Sequence, residues 1–154
     1  GKPFSDLTIK EKSKLRLKEV GFILQASNLI PFLNVTEQMT LYNKITKTKK
    51  NQAWMDELFL KLDVEKLKNK YPNELSGGER QILLLILIQL QQSKIVFCDE
   101  PTGSIDEQNE IVAARILKEI SRDRLVFVVS HNVELFSKYA DKILYMKEGK
   151  LYDK

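Results

Sequence analysis

The chain has 154 residues, 43% hydrophobic and 30% charged, with a formal net charge of +4 and a pI near 9.0. That balance belongs to an ordinary globular domain able to bury roughly 70% of its extended surface, and it argues against a disordered tail. One cysteine, Cys98, excludes an internal disulfide, residues 1–18 are too polar and lysine-rich for a signal peptide, and the longest aliphatic run, seven residues at 82–88, falls far short of the roughly 20 that span a bilayer.

Residues 20–24 are the first β-rich run. Residues 27–76 carry little β signal, more lysine and more helix, and read as a helical insertion. Within it, 52–69 places Met55, Leu58, Leu60 and Leu62 in an amphipathic helix or pair of helices. Residues 78–91 are helical and apolar nearly all round, which predicts deep burial. A second strand at 94–98 follows. Residues 107–122 set Ile111, Ala114, Leu117 and Ile120 on one stripe, with Asp106 ahead as N-cap. A third strand lies at 125–129, and 142–146 pairs with 151–152 in a hairpin around Glu148-Gly149. Strands alternating with helices predict an α/β fold with a mostly parallel sheet. Residues 1–26 and 77–154 form its core, and 27–76 a helical subdomain.

Charge is uneven. Residues 1–50 carry ten Lys/Arg against four Asp/Glu, chiefly at 10–18 and 44–50. Such a surface permits an anionic partner, nucleic acid or membrane, although a solvated lysine-rich face is the plainer reading. No aromatic residue interleaves either basic run as a base-stacking platform does.

Ligands of open α/β sheets sit beyond the carboxyl ends of the strands. The first strand is followed by Gln25, the second by Asp99 and Glu100, the third by Ser130 and His131. A carboxylate ending an apolar strand suits Mg²⁺ on phosphate, and a second one beside it can take a proton from an attacking water. His131 is placed to contact a γ-phosphate, and Gln25 the metal or the water. Upstream, Ser76, Gly77 and Gly78 open the apolar helix. A hydroxyl, two residues without side chains and free helix N–H groups suit a phosphate there, and an ordinary N-capped turn explains the same residues.

Together these residues resemble the nucleotide-binding domains of ATP-binding cassette (ABC) transporters. LSGGERQ at 75–81 resembles the signature motif, and 95–100 with Pro101-Thr102 the Walker B segment. Ser104-Ile105-Asp106 resembles the D-loop, Ser130-His131 the switch-histidine loop, and 21–25 with 28–33 the Q-loop. The resemblance covers essentially the whole chain. It implies a P-loop-NTPase-like fold with ATP and Mg²⁺ as cofactors. Asp99 and Gln25 would be at the metal, Glu100 the general base, and Gln25 and His131 the γ-phosphate sensors. Ser76, Gly77, Gly78 and Asp106 would face nucleotide held by a second ATPase subunit. It also implies a cytoplasmic subunit, peripheral at the inner face of the cell membrane, working with a transmembrane permease and no nucleic acid. The Q-loop and Walker B wording is most similar to exporters of lipoproteins, macrolides and antimicrobial peptides.

Two features depart from that family. The G-x-x-x-x-G-K-[ST] loop of Walker A does not occur; the resemblance puts it, with its strand and helix, ahead of Gly1. The expectation is therefore a sheet lacking that strand and a chain that is inactive alone. Two further readings follow: a non-catalytic partner or remnant of an ABC ATPase, and a soluble ABC ATPase acting on nucleic acid. In the signature helix, Ile82 and Leu87 stand at the usual arginine positions and Leu84, Ile86 and Ile88 at the usual small ones. Ile30, Phe32 and Leu33 cluster around Pro31, as subdomain core or as the permease contact.

Overall fold

The computed structural model describes residues 3–24, 29–46, 52–61, 64–91, 93–103 and 105–153. Its elements are α1 (Ile9–Glu19), β1 (Val20–Ile23), α2 (Val35–Thr46), α3 (Gln52–Lys61), α4 (Gly77–Gln91), β2 (Ile95–Asp99), α5 (Glu107–Ile120), β3 (Leu125–Val129), α6 (Val133–Ser137), β4 (Leu144–Lys147) and β5 (Lys150–Asp153). β1, β2 and β3 form a parallel sheet in that order, and β4 and β5 an antiparallel pair of their own. Glu148 and Gly149 turn that hairpin with φ of 49° and 75°, the two left-handed residues such a turn requires.

α4 is the spine of the chain. Ile82, Ile86, Leu87 and Leu90 pack with Val35, Met39, Met55, Phe59, Val64 and Leu67 of the helical segment. Leu85 and Ile88 pack instead with Ile23, Val96, Cys98 and the inner stripe of α5. The bulky residues at 82, 86, 87 and 88 are all buried, so large side chains here build two cores around one helix. Arg124 donates to the carbonyls of Ile88 and Gln89 at 3.0 and 3.3 Å, satisfying open acceptors at the helix end. Gln91 ties the same end to the Val20 carbonyl at 3.1 Å.

Strand alternation puts Ile23, Val96 and Cys98 against α4 and α5 and turns Phe22, Phe97 and Phe127 to the opposite face. Their rings stack across the strands at 5.5 and 5.2 Å. That face is bare among the described residues: the three rings are 49%, 39% and 43% exposed. Parallel sheets are ordinarily covered on both faces. The outer edge of β3 pairs with no described strand.

Several boundaries and faces differ from expectation. β2 runs one residue further, through Asp99, and β4 begins at Leu144. The helix at 52–69 ends at Lys61, followed by a single 3-10 turn at Glu65–Leu67. Phe59, not Leu60, faces its core; Leu60 is 62% exposed and Leu62 lies outside the described residues. Phe32 is 77% exposed, so it is not core, while Ile30 and Leu33 are half-buried. α1 was not foreseen.

Candidate functional site

The parallel register brings Asp99 opposite Val129 and carries both chain segments past one sheet edge together. Glu100 leaves β2 in a left-handed backbone conformation, φ 46°, uncommon for a residue with a side chain. Two sets of bonds hold it there. Its N–H donates to the Val129 carbonyl at 2.9 Å. Its carboxylate accepts from the His131 backbone at 3.1 Å and from the Ser130 hydroxyl at 3.3 Å, and lies 2.9 Å from His131 Nδ1. Partial burial opposes the charge of Glu100, but the His131 and Ser130 hydrogen bonds and the attraction of His131 outweigh it. The carboxyl is held below the usual carboxylate range. It is therefore ionised at neutral pH, a proton acceptor in waiting. The His131 side chain is 81% exposed. Asp99, the last residue of β2, is exposed on the side of the bare sheet face.

Sequence reasoning missed the supports of His131. Asn132 caps α6 by accepting from the Leu135 N–H at 3.1 Å. It also donates from Nδ2 to Glu110 of α5 at 3.1 Å, which pins the loop that carries the histidine. The signal was available: Asn-x-x-Leu ahead of a short apolar helix is a capping pattern.

A second group forms at the start of α4. Ser76 and Glu79 cap one another: Ser76 Oγ accepts from the Glu79 N–H at 3.1 Å, and the Glu79 carboxylate accepts from the Ser76 N–H at 2.8 Å. That backbone bond chiefly holds the Glu79 carboxyl below its usual range, with Lys70 at 3.6 Å assisting. Ser76 and Gly77 are exposed and Gly78 is buried. A Cβ on Gly78 would stand 3.1 Å from Asn109 Nδ2 and 3.4 Å from Ile105, so the starts of α4 and α5 touch. Asp106 caps α5, accepting from the Asn109 N–H at 3.0 Å and from its Nδ2 at 2.7 Å. These bonds, the backbone one first, lower its carboxyl pKa.

The structure thus gathers Asp99, Glu100 and His131 at one sheet edge, and Ser76, Gly77, Gly78 and Asp106 where the starts of α4 and α5 touch. No described hydrogen bond or ion pair joins the two groups. Gln25 lies outside the described residues, as does Ser104. Among the described residues no three His, Cys, Asp or Glu converge as a metal cage. A site of one carboxylate completed by phosphate and water is the usual Mg²⁺ arrangement, and an exposed Asp99 at a strand end fits it.

The ABC transporter family model matches residues 1–103. The chain is 40% identical over 144 residues to a Staphylococcus epidermidis protein whose name reads hemin import ATP-binding protein HrtA, covering 91% of the chain and 64% of that relative. A Staphylococcus aureus protein of the same name is 34% identical, with 92% and 65% covered. The chain therefore spans just under two thirds of the length of these relatives. The dimeric post-hydrolysis state of the ATP-binding cassette MJ0796, bound to ADP and phosphate, superposes with a TM-score of 0.78 at 26% identity, over 96% of this chain and 68% of that one. A second dimeric structure of that bacterial ABC transporter cassette gives 0.79 at 26%, over 97% and 69%. The α/β architecture is that of ABC ATPase cassettes, a P-loop-NTPase-like fold. No described helix is long and apolar enough to cross a membrane.

Proposed function

The chain belongs to the ABC transporter family, and on that premise we propose that it is an ATP-binding subunit coupling ATP binding and hydrolysis to transport across a membrane. The carrying observation is the convergence of Asp99, Glu100 and His131 at one sheet edge, with Glu100 ionised and fixed by His131 and Ser130. Glu100 takes the proton of the attacking water, and His131 and Gln25 contact the γ-phosphate. Asp99, with Gln25, holds Mg²⁺, which when bound offsets phosphate charge. Ser76, Gly77, Gly78 and Asp106 face nucleotide held by a second ATPase subunit. The exposed Phe32 turn meets a transmembrane permease, placing the subunit at the cytoplasmic face of the membrane. The name of the staphylococcal relatives makes hemin the first cargo to test; the exporter-like Q-loop wording makes lipoproteins, macrolides and antimicrobial peptides the next.

The phosphate-cradling G-x-x-x-x-G-K-[ST] loop is not among these 154 residues, so the chain by itself turns over no ATP. Grafting that segment of the S. epidermidis relative ahead of residue 1 tests the assignment. The graft should hydrolyse Mg-ATP, and Glu100→Gln should keep ATP binding while slowing turnover by about 10²–10⁴-fold. Near-normal turnover in the Gln variant would remove Glu100 from the base role. A graft that binds ATP without turnover would identify a non-catalytic partner subunit.

A further inference from the structure

We propose that α1 is a contact for an anionic phospholipid surface, made through Lys10, Lys14 and Lys18. The inference stands on charge and does not depend on the ATPase reading. These lysines are four and eight residues apart, so they share one stripe of the helix, and all three are exposed. Arg16 and Lys12 add positive charge on the flank.

What separates this face from an ordinary solvated one is the fate of its acids. Glu11 is turned back on the Thr8 backbone N–H and hydroxyl, both at 2.8 Å. Glu19 is paired with Lys94 at 2.8 Å. Both carboxylates of α1 are thus used inside the fold, and no described acid neutralises Lys10, Lys14 or Lys18. The helix buries no residue of its own, which leaves the stripe open to a broad, flat partner. Leu17, 51% exposed, borders the stripe, and Ile9 is 84% exposed. Short aliphatic chains among lysines belong at a headgroup boundary. Base stacking needs an open ring, and Phe4, just ahead of α1, already carries the Lys12 ammonium at 5.4 Å. With so few apolar anchors the contact is electrostatic: weak, reversible and sensitive to salt.

Co-sedimentation of the full chain with vesicles is the test. The chain should bind vesicles of equal parts phosphatidylglycerol and phosphatidylcholine, leave pure phosphatidylcholine free, and dissociate at about 1 M salt, where charges are screened beyond about 3 Å. Combined Lys10→Glu, Lys14→Glu and Lys18→Glu should weaken binding by at least about 100-fold, from about fivefold per lysine. The same reversal at Lys142, Lys147 and Lys150 of the hairpin should leave binding within a few-fold. Equal loss in both triple variants would reduce the effect to net charge and overturn the proposal. So would retention by duplex DNA with no binding to vesicles. Unchanged circular dichroism of each variant confirms that folding is not what was measured.

Discussion

Replacing Phe97 by Asp should turn a self-associating chain into a soluble monomer. Phe97 is the middle ring of the row that crosses the bare sheet face, flanked by Phe22 and Phe127 at 5.5 and 5.2 Å. At 49%, 39% and 43% exposure, and about 200 Å² per full ring, the row leaves about 260 Å² of aromatic surface in water. At about 25 cal/mol per Å² that is about 6 kcal/mol of unrealised burial per copy, an upper bound. Leu125 and Val129, at 54% and 64%, extend the patch along the outer edge of β3, and Leu24, at 42%, extends it on the β1 side. Two copies face to face gain at most about twice that sum, against an association cost of at least about 4 kcal/mol, which makes micromolar the tight limit of self-association. The groove beside the rings, about 230 Å³ and lined by Phe22, Leu24, Phe97, Phe127 and Val129, has one charged group among the described residues, Asp99, at its rim. A second carboxylate at the centre should cost at least about 3 kcal/mol, a 100-fold shift in the concentration at which the chain associates. Sedimentation velocity or light scattering across a dilution series reads this directly, with circular dichroism as the check on folding. A monodisperse wild-type monomer at high concentration would refute the reasoning, as would a Phe97→Asp chain that associates like the wild type.

Gly21→Ala should destabilise the chain by about 1–3 kcal/mol in urea unfolding, because its Cβ would lie 2.8 Å from Ser93 Oγ and 3.0 Å from Ile88. Adding Ser93→Ala should recover part of the loss, since that buried hydroxyl makes no hydrogen bond with any described residue; strict additivity of the two changes would deny the contact. Phe32→Asp should leave stability within about 0.5 kcal/mol, given its 77% exposure, while lowering transport in an assembled transporter; a large drop in melting temperature would return Phe32 to the core. Burial pushes the Cys98 thiol up to about 12. A raised acid pKa means the folded state keeps a proton that the unfolded chain releases near pH 9, so stability should fall as pH rises above about 9. Native Cys98 should also resist alkylation at pH 8 until denaturant is added.

The sheet, its order of motifs and the acidic edge were readable because each rests on a local pattern: an apolar run, then a carboxylate or histidine. The hairpin was readable from Glu148-Gly149 between two β-rich runs. α1 was not, because a helix that buries nothing has no apolar period to detect. Its trace lay elsewhere, in Thr8-x-x-Glu11, a reciprocal cap that the structure contains. Leu60 and Phe59 were exchanged because both fit an apolar face and only packing against Val64 and Met39 decides between neighbours. The aromatic row could not be foreseen at all: Phe22, Phe97 and Phe127 lie far apart in sequence and align only through strand register. The same holds for the left-handed backbone of Glu100, which depends on bonds to Val129, Ser130 and His131.

The contact between Gly78 and Asn109 leaves less than a methyl group of slack between the starts of α4 and α5. Asn109 cannot yield easily, because Asp106 grips both its backbone and its side chain. Ser76 and Asp106 are therefore tied to one shared contact and form a single tooth. Only residues 101–105 lie between that tooth and Glu100. In a paired assembly of the proposed kind, a displacement begun where one subunit handles phosphate has little elastic chain in which to dissipate. Such a displacement should arrive at the surface shown to the other subunit as a step, and the two halves of that assembly would keep time through geometry.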